Sequence, residues 1–373
     1  MKILFACGGT AGHINPAIAI AGYIKKRHQK ADILFVGNPN GMEAILVEKA
    51  GYSFMPIEIL GFERKISVKH LKHNIKAAKL LATATSKAEK ILHEFSPNIV
   101  IGTGGYVSGP VLRKASLMGI KTITHESNAF PGVTTKLLAK YVDKILIHTI
   151  TTKDHLKYSE KCVVTGNPVR EDILFMNTKK AREELGIGNR ICILSFGGSN
   201  GATQINKAIA AVIAWHHKGN LIHHIHATGK YSGDMFYEIL QDKNVVISDN
   251  PHIDVREYIH DMDRCLAAAD LVICRSGAMT LIELQTTGKA SILIPSPNVS
   301  ENHQYYNAME LVEVGAAKLI EEKNLTDEKL IHTISDIISN KMTMLELSSN
   351  ALRSANFNAT QAIYNEIMDL IVQ

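Results

Sequence analysis

The sequence predicts an α/β protein of two Rossmann-like, doubly wound parallel-sheet domains that face each other across a cleft. Its 373 residues suit two domains of ordinary size better than a single core. Short apolar runs alternate with segments of helical period from end to end, which is typical of parallel βα units. A strand followed by Gly-Gly-Thr/Ser-x-Gly occurs twice, at residues 3–12 and 192–201, which indicates two similar open sheets.

The strands of both domains are predicted from short apolar runs bounded by turn residues. They lie at 2–7, 32–36, 53–57, 98–101, 121–125 and 144–148 in the first half, and at 191–196, 222–227, 244–248, 270–274 and 290–294 in the second. Gly166-Asn167-Pro168 carries turn chemistry after a strand, and it predicts the joint between a first domain of residues 1–165 and the second. Because open parallel sheets bind ligands beyond the carboxyl ends of their strands, we expect ligands in the cleft.

Composition and charge narrow the class of protein. A hydrophobic fraction of 46% with 21% charged residues is ordinary for a globular protein. Residues 1–150 hold 20 Lys and Arg against 9 Asp and Glu, whereas the remainder holds 21 against 27, so the first half is expected to meet something anionic. The five cysteines form no CxxC pair and mostly lie in apolar stretches, which indicates buried free thiols in a reducing compartment. No apolar run approaches the roughly 18–20 residues that cross a bilayer, and the first run is too short for a signal peptide, so a cytosolic protein is expected.

The first strand leads into a glycine-rich turn at residues 8–13, which reads Gly-Gly-Thr-Ala-Gly-His and opens a helix. Glycines let the backbone approach a ligand, and the helix N-terminus offers N–H groups and positive potential. A dinucleotide site would need an acidic residue after the second strand, but residues 37–40 read Gly-Asn-Pro-Asn, which disfavours NAD. His13 stands where the loop meets the helix, which makes it a candidate general base.

Two further strand ends of the first domain carry polar or glycine-rich turns. Residues 102–105, Gly-Thr-Gly-Gly, predict a backbone nest for phosphate or pyrophosphate, with a merely flexible turn as the alternative. The strand at 121–125 runs into His125-Glu126-Ser127-Asn128. Glu126 is a candidate base, or a residue that orients one.

The second domain repeats this pattern. Residues 196–202 form a second phosphate-type loop, and the strand at 270–274 runs into residues 275–280 and a helix that carries Glu283. Its helix N-terminus suits a phosphate and its carboxylate suits a ribose diol, although simple capping is an alternative. The polar segment 301–304 and Asn307 suit sugar hydroxyls. No metal site is predicted, because Asp261-Met262-Asp263 falls in a helical-looking segment and no HExxH or paired-cysteine motif occurs.

A basic amphipathic segment lies between Gly61 and Leu92. Its lysines alternate with apolar residues, the set being Lys65, Lys69, Lys72, Lys76 and Lys79 with Ile66, Val68, Leu71, Ile75, Leu80 and Leu81. Such a segment can rest on anionic lipid headgroups, and a solvated helix packed on its own domain is the alternative. The segment has no interleaved aromatics and matches no nucleic-acid-binding module, so no nucleic-acid partner is expected.

Taken together, these segments resemble the MurG family of N-acetylglucosaminyltransferases, in the expected order over nearly the whole chain. The matching stretches are GGTAGHINPAIA, GTGGYVSGP, HESNAFPG, TGNPVR, SFGGSNGA, CRSGAMTLIEL and NHQYYNAMELVEVGAA. The resemblance implies a GT-B fold, with an acceptor and membrane-facing domain at 1–165 and a UDP-GlcNAc-binding domain at 166–349. It also implies that a C-terminal helix at about 350–373 packs back on the first domain.

The activity implied by the resemblance is inverting transfer of GlcNAc from UDP-GlcNAc without a metal or other cofactor. The acceptor is the 4-hydroxyl of MurNAc in undecaprenyl-pyrophosphoryl-MurNAc-pentapeptide, so that lipid I becomes lipid II in the peptidoglycan synthesis on which cell shape and division depend. The implied location is the cytoplasmic face of the bacterial plasma membrane, as a peripheral protein. The implied partners are UDP-GlcNAc, lipid I, an anionic membrane surface and other cell-wall synthesis proteins.

The resemblance also assigns roles to residues. His13 and Glu126 would be catalytic, with His13 as the base and Glu126 assisting or replacing it. The acceptor pyrophosphate would meet Gly9, Gly104, Gly105 and Tyr106. Ile259, in the segment Tyr258-Ile259, would meet the uracil, and Glu283 the ribose. The donor would be bound by Thr10, Gly12, Asn128, Arg170, Ser199, Ile259, Met279, Thr280, Glu283, Gln304 and Asn307.

Two other functions compete with this interpretation. A UDP-GlcNAc 2-epimerase would share the donor domain, but the acceptor-side loops and the basic first domain disfavour it. A non-enzymatic subunit recruited to the membrane would have no use for His13, Glu126 and Glu283. Both alternatives predict no transfer of GlcNAc to a lipid acceptor.

Overall fold

The structure, a computed structural model, describes residues 1–61 and 68–372. The chain divides into two compact units, of which the first contains Met1–Arg170 and Phe357–Gln373 and the second contains Glu171–Asn356. Because its two segments are far apart in the chain, the first unit is discontinuous in sequence, and the second lies between its segments. The predicted domains ended at residues 165 and 349.

The first unit is built on a parallel sheet in the order β3-β2-β1-β4-β5-β6-β7. Its strands are β1 Lys2–Cys7, β2 Asp32–Gly37, β3 Ser53–Pro56, β4 Ile99–Gly104, β5 Lys121–Glu126, β6 Lys144–Ile147 and β7 Cys162–Val164. Its first helices are α1 Ala11–Arg27, α2 Met42–Lys49, α3 Val68–Phe95, α4 Ser108–Leu117 and α5 Val133–Leu138, with 3₁₀ turns at Ile150–His155 and Ser159–Lys161.

The second unit has a parallel sheet in the order β10-β9-β8-β11-β12-β13. Its strands are β8 Ile191–Phe196, β9 Ile222–Ala227, β10 Ile253–Arg256, β11 Leu271–Cys274, β12 Ala290–Leu293 and β13 Ala317–Leu319. Its helices are α6 Glu171–Phe175, α7 Thr178–Glu184, α8 Thr203–His216, α9 Gly233–Asp242, α10 Met262–Ala268, α11 Ala278–Thr286, α12 His303–Glu313, α13 Asp327–Ser339 and α14 Lys341–Arg353, with 3₁₀ turns at Ile247–Asp249, Ser300–Asn302 and Glu322–Asn324. Helix α15, Ala359–Val372, returns to the first unit.

The two sheets share one topology, which confirms the predicted pair of doubly wound domains. In each sheet the strand order reverses beside the first strand, between β1 and β4 in one unit and between β8 and β11 in the other. Such a switch point splays the connections apart and leaves a crevice at the carboxyl ends of the strands. The two copies of the glycine-rich motif follow β1 and β8, so each copy lies at the switch point of its own sheet.

The predicted strand at 244–248 is wrong. Asn244 lies just after the end of α9 with a left-handed backbone (φ 55°), and the apolar run continues as a loop and the 3₁₀ turn Ile247–Asp249. Val245 is buried and Ile247 packs against the core of the second unit, so these residues are apolar because they pack and not because they pair. The edge strand that pairs with β9, on the side away from β8, is β10, whose charged Asp254 and Arg256 hid it from the hydrophobic pattern. The short edge strands β7 and β13 were not predicted either.

Helix α15 completes the core of the first unit. Ile363, Ile367 and Leu370 are buried in the same apolar cluster as the residues of β1 and α1. At the surface, the phenol of Tyr364 lies 2.8 Å from Nε2 of His28. This packing continues the sheet–helix layer with a segment that is distant in sequence.

The cysteines agree with the expectation of buried free thiols. All five cysteines, which are Cys7, Cys162, Cys192, Cys265 and Cys274, are buried free thiols. Burial raises the pKa of the Cys192 and Cys265 thiols to about 12, so both stay protonated and unreactive. Within residues 1–61 and 68–372, the helices include none that is both long and apolar enough to cross a bilayer.

Candidate functional site

In the first unit, the loops after β1 and β4 touch at the switch point because glycine stands at the contact. A Cβ on Gly105 would lie 2.2 Å from the carbonyl oxygen of Gly8. A Cβ on Gly104 would lie 2.4 Å from Cδ2 of His13. Both positions have a positive φ, of 111° for Gly104 and 85° for Gly105, which L side chains rarely adopt. The two loops thus close around one side of the His13 ring.

The His13 ring is oriented by backbone. Its Nδ1 lies 3.0 Å from the carbonyl oxygen of Gly8, and the Thr103 hydroxyl donates to the His13 carbonyl at 2.6 Å. A carbonyl oxygen can only accept, so this contact places the proton of the neutral ring on Nδ1. The lone pair is then on Nε2, which is the arrangement a general base needs.

Two helix N-termini begin at this edge of the sheet. Helices α1 and α4 start directly after the two loops, and neither N-terminus has a side-chain cap or an acidic residue in its first turn. The N–H groups of a first helical turn lack acceptors within the helix, so they are suited to an anion. Gly104, Gly105 and the half-exposed Tyr106 lie beside them. The N–H of Gly9 is different, since it donates to the Glu43 carboxylate at 3.2 Å.

Glu126 ends β5 and is buried under the loop that follows. One carboxylate oxygen accepts from the N–H and the side-chain amide of Asn128, at 3.1 and 2.9 Å. The other accepts from the N–H of Gly132 and the hydroxyl of Thr135, at 2.9 and 2.6 Å. Strand β4 lies between β1 and β5, which puts the two strand axes about 10 Å apart. The contacts describe a carboxylate that organises a loop.

The predicted donor-binding residues fall on both units. Thr10, Gly12 and Asn128 lie at the switch-point edge of the first unit, and Arg170 is the last residue of its N-terminal segment. The Thr10 hydroxyl lies 3.5 Å from Nδ1 of His13. The second unit holds Ser199, Ile259, Met279, Thr280, Glu283, Gln304 and Asn307.

In the second unit, the loop after β8 has the same construction as its counterpart. A Cβ on Gly229 would lie 2.0 Å from the backbone nitrogen of Gly201, and both glycines have a positive φ. Helix α8 begins at Thr203 and α11 at Ala278, and neither N-terminus has a side-chain cap or an acidic residue in its first turn. Ser199 lies in the first loop. The second switch point therefore offers two helix N-termini to an anion.

Three polar side chains connect the loops around α12. The buried Ser276 hydroxyl donates to the Gln304 carbonyl at 2.7 Å, and the Asn307 amide donates to the Ser276 carbonyl at 3.3 Å. The side-chain oxygen of Gln304 accepts from the N–H of Ser296 at 2.9 Å. The amides predicted to meet sugar hydroxyls thus also hold the loops after β11 and β12 together. Arg275, for which no role was predicted, forms an ion pair with Glu322.

The remaining predicted donor residues of the second unit lie after β10 and on α11, and three of them are buried. Ile259 is 4% exposed, Met279 6% and Glu283 9%. Thr280 lies one residue further along α11 and is partly exposed. Glu283 follows about one helical turn later, so that its carboxylate is the acidic group that α11 carries behind its N-terminus.

A buried histidine network connects β8, β9 and α8 of the second unit. The Ser195 hydroxyl, on β8, is 2.8 Å from His224 Nε2 and 2.8 Å from His226 Nδ1. His216, on α8, reaches His224 with a distance of 2.9 Å between Nε2 and Nδ1. Burial lowers the pKa of His226 to about 3 and that of His216 to about 4, so both are neutral near pH 7.

In the acidic pair Asp261 and Asp263, the first carboxylate is engaged by an arginine. Asp261 accepts from Arg256 at 2.6 Å, and Arg256 also binds Asp254. Across the described ranges of the chain, the His, Cys, Asp and Glu side chains form no group of three or more that could hold a metal ion.

The described part of the basic amphipathic segment lies in α3. Lys72, Lys76 and Lys79 are exposed on it, and Ile75 between them is 52% exposed. Leu137, on α5, is 67% exposed beside Lys136. The predicted members Lys65 and Ile66 lie outside the described residues, as do the side chains of Val68, Lys69 and Leu71.

Family models match both halves of the chain. The model of the glycosyltransferase family 28 N-terminal domain matches residues 3–147, and that of the glycosyltransferase family 28 C-terminal domain matches residues 192–363. A protein of Acetivibrio thermocellus, named UDP-N-acetylglucosamine--N-acetylmuramyl-(pentapeptide) pyrophosphoryl-undecaprenol N-acetylglucosamine transferase, is 42% identical over 374 residues, which cover 100% of this chain and 98% of the relative.

Solved structures share the fold. The crystal structure of Acinetobacter baumannii MurG is 27% identical with a TM-score of 0.71, and the match covers 99% of each chain. A UDP-GlcNAc 2-epimerase of Neisseria meningitidis, solved bound to UDP-GlcNAc, is 15% identical with a TM-score of 0.66, over 99% of this chain and 100% of that one. The second likeness concerns the fold alone.

Proposed function

This chain belongs to the family of UDP-N-acetylglucosamine--N-acetylmuramyl-(pentapeptide) pyrophosphoryl-undecaprenol N-acetylglucosamine transferases, and from that premise we propose how its residues act. It is a glycosyltransferase that transfers GlcNAc from UDP-GlcNAc to the lipid-linked MurNAc-pentapeptide. In our proposal the reacting group is the MurNAc 4-hydroxyl, and the transfer inverts the anomeric carbon without a metal ion. The observation that carries the proposal is the pair of equivalent switch-point sites, one of which adjoins a histidine.

The second unit takes the donor in this proposal. The N-termini of α8 and α11, with Ser199, supply positive potential and N–H donors to the diphosphate. Arg170, at the end of the first unit's N-terminal segment, is the cation that the family resemblance assigns to the donor. These groups meet the negative charge that develops as UDP leaves, which is where stabilisation accelerates the reaction most. Glu283 takes the ribose diol, Ile259 packs on uracil, and Met279, Thr280, Gln304 and Asn307 surround the sugar.

The first unit takes the acceptor. The N-termini of α1 and α4, with the loop that contains Gly104 and Gly105, hold the lipid pyrophosphate. His13 Nε2 removes the proton of the 4-hydroxyl as its oxygen attacks the anomeric carbon and the bond to UDP breaks. The two contacts per oxygen on Glu126 support a positioning role for that residue, with His13 as the base. The general-base role accounts for about 10²–10⁴ in rate.

The anionic membrane surface is the third partner in the proposal. Exposed Ile75 among Lys72, Lys76 and Lys79 gives α3 a face that combines charge with an apolar residue, and Leu137 with Lys136 repeats the combination on α5. Such faces bind anionic bilayers through headgroup attraction and shallow apolar insertion. The cytoplasmic face of the bacterial plasma membrane and contacts with other cell-wall synthesis proteins complete this proposal.

Transfer of radiolabelled GlcNAc from UDP-GlcNAc to a lipid I analogue, with EDTA present, tests the reaction and the metal together. We expect labelled lipid product with a β-linkage by NMR, since inversion of the α-linked donor gives the β-anomer. An α-linked product, or activity that EDTA abolishes and a divalent cation restores, would contradict the mechanism. UDP-GlcNAc alone is the second arm, in which conversion of the free nucleotide sugar would favour an epimerase.

A further inference from the structure

A buried carboxylate contacts the loop after β1, at Gly9, and the proposed reaction does not use it. Glu43, in the first turn of α2, is 1% exposed. Its Oε2 accepts the N–H of Gly9 at 3.2 Å, and its Oε1 accepts the N–H of Asn38 at 2.9 Å. Burying a charge costs free energy unless its oxygens are hydrogen-bonded, so these two backbone donors are what keep the carboxylate there.

The space for Glu43 is made by three glycines from separate parts of the sequence. A Cβ on Gly8 would lie 2.3 Å from Glu43 Oε1, and one on Gly41 would lie 2.3 Å from Oε2. A Cβ on Gly37 would lie 2.5 Å from Cγ of the same side chain. A Cβ at any of these positions would force the Glu43 side chain to move, so the three glycines leave room for the carboxylate where it now lies.

Glu43 and His13 bind opposite ends of the same peptide group. The peptide that joins Gly8 to Gly9 is planar, so its C=O and N–H turn together. Glu43 takes the N–H, and His13 Nδ1 lies 3.0 Å from the C=O. A carboxylate on the N–H polarises the peptide and makes its carbonyl a stronger acceptor for the imidazole proton. The Thr10 hydroxyl, 3.5 Å from the same nitrogen, would favour the other tautomer if it donated.

From this geometry we propose that Glu43 is a positioning residue for His13. It fixes the Gly8–Gly9 peptide, the peptide keeps the proton on Nδ1, and the lone pair stays on Nε2 for the acceptor hydroxyl. The proposal rests on the proposed function only for the role of Nε2 in catalysis. The link between Glu43 and the tautomer of His13 stands without it.

Two variants disturb the link in different ways. Glu43→Gln keeps the size of the side chain but replaces one accepting oxygen by a donating amide, so one of the two N–H groups loses its acceptor. Gly41→Ala keeps the charge but pushes the carboxylate away, and its φ of −90° suits alanine. The matched controls are Glu48→Gln on the exposed face of α2, and Gly22→Ala, where a Cβ would meet its nearest atom at an ordinary 3.8 Å.

The tautomer is read by two-bond ¹H–¹⁵N correlation on histidine-labelled protein, with the His13 signal identified by its loss in His13→Asn. We expect the wild type and both controls to show Nδ1–H, and both test variants to shift toward Nε2–H. Transfer to the lipid acceptor should fall about tenfold or more in kcat in both test variants, while KM for UDP-GlcNAc stays within about twofold. The circular dichroism of each variant shows whether it has folded.

The outcomes separate this proposal from the proposed function. An unchanged His13 tautomer in the folded test variants overturns the role of Glu43, whatever the activity. An unchanged kcat in both variants overturns its catalytic consequence, while the wild-type transfer still stands. If the wild type shows the tautomer but transfers no GlcNAc, the proposed function fails and the structural link remains. If Glu43→Gln does not fold, Gly41→Ala decides.

Discussion

At the scale of single residues, the two predicted catalytic side chains differ in what surrounds them. The Nδ1 of His13 lies 3.0 Å from a carbonyl oxygen, which can only accept, and this contact leaves the lone pair on Nε2. Glu126 has two donors on each carboxylate oxygen. A general base needs a lone pair directed at its substrate, whereas a fully bonded carboxylate stabilises the loop that binds it.

Replacing His13 should therefore abolish the chemistry and leave the fold intact. We expect His13→Ala to lower kcat by about 10²–10⁴ in the lipid acceptor assay, because a positioned base contributes that much. UDP-GlcNAc binding, measured by calorimetry, should stay within about threefold. The assignment is wrong if His13→Ala keeps turnover within about threefold of wild type while Glu126→Ala abolishes it.

Replacing Glu126 should instead destabilise the first unit. Glu126→Gln replaces one carboxylate oxygen by an amide NH₂, which cannot accept from the donors that the oxygen now binds. We therefore expect the free energy of unfolding to fall by about 1–3 kcal/mol. Urea denaturation followed by circular dichroism measures it, with the exposed Glu94→Gln as control. A Glu126→Gln protein with wild-type stability and no activity would restore Glu126 as a candidate base.

Sequence patterns could identify His13 and the glycine-rich loops because a strand, a Gly-rich turn and a helix follow one another directly. They could not identify Glu43. Its partners, Gly9 and Asn38, come from other loops, and glycine-rich turns do not indicate which side chain fills the space they leave. The hydrogen bonds of Glu126 could not be predicted either, because Gly132 and Thr135 reach its carboxylate only when the loop folds back.

At the scale of elements, α15 shows how a distant segment completes a core. Its apolar residues recur at a spacing of three and four, which puts Ile363, Ile367 and Leu370 on one face. The sequence pattern alone predicts such a helix but not its partner. Its packing on α1 and the sheet had to come from the family resemblance, since nothing local to residues 359–372 specifies it.

We expect Ile367→Ala to lower the free energy of unfolding by about 2–5 kcal/mol, because the side chain is fully buried and leaves a cavity. Val372→Ala, at the end of the same helix and 83% exposed, is the control and should change it by less than about 0.5 kcal/mol. Urea unfolding measures both. Equal effects of the two variants would show that α15 does not stabilise the unit.

The exposed apolar residues of α3 and α5 should matter for membrane binding and little for folding. We expect Ile75→Gln with Leu137→Gln to weaken binding to phosphatidylglycerol-containing vesicles by about tenfold or more, since each buried side chain contributes about 1.5–3 kcal/mol. Co-sedimentation measures it. Leu221→Gln, at an 80% exposed position of the second unit, should bind as the wild type does. Identical binding of all three proteins would remove these helices from the membrane contact.

At the scale of the whole molecule, the two units place equivalent sites on equivalent topologies but differ in what they bury. Alternating runs and the repeated motif were enough to predict two parallel sheets and most of their strands. The edge strands β7, β10 and β13 were missed, because an edge strand is paired on one side and needs fewer apolar residues. The second unit buries a histidine network, and the folded stability of this unit should therefore depend on pH.

The second unit should lose stability as the pH falls below about 6.5. An unfolded histidine binds a proton near that pH, whereas the folded unit holds the pKa of His216 at about 4 and that of His226 at about 3. At a pH between the folded and unfolded pKa values the unfolded chain binds more protons, so acid favours unfolding. Lowering the pH from 7 to 5 should reduce the free energy of unfolding by about 2 kcal/mol per histidine. Trp215, the single tryptophan, lies on α8 and reports the transition by fluorescence.

The comparison is urea unfolding at pH 7 and pH 5. His216→Gln should reduce the loss of stability between the two, whatever its effect at pH 7. His332→Gln, whose side chain is 78% exposed on α13, should leave the loss unchanged. A wild-type transition that is independent of pH over this range would contradict the prediction.

The discontinuity of the first unit also sets an order of assembly. The ribosome releases a chain from its N-terminus, so residues 171–356 leave it before Phe357 does. Until α15 has emerged, Ile363, Ile367 and Leu370 are missing from the core of the first unit. The first unit therefore begins to form before the second, but its core is completed only after the whole of the second has been synthesised.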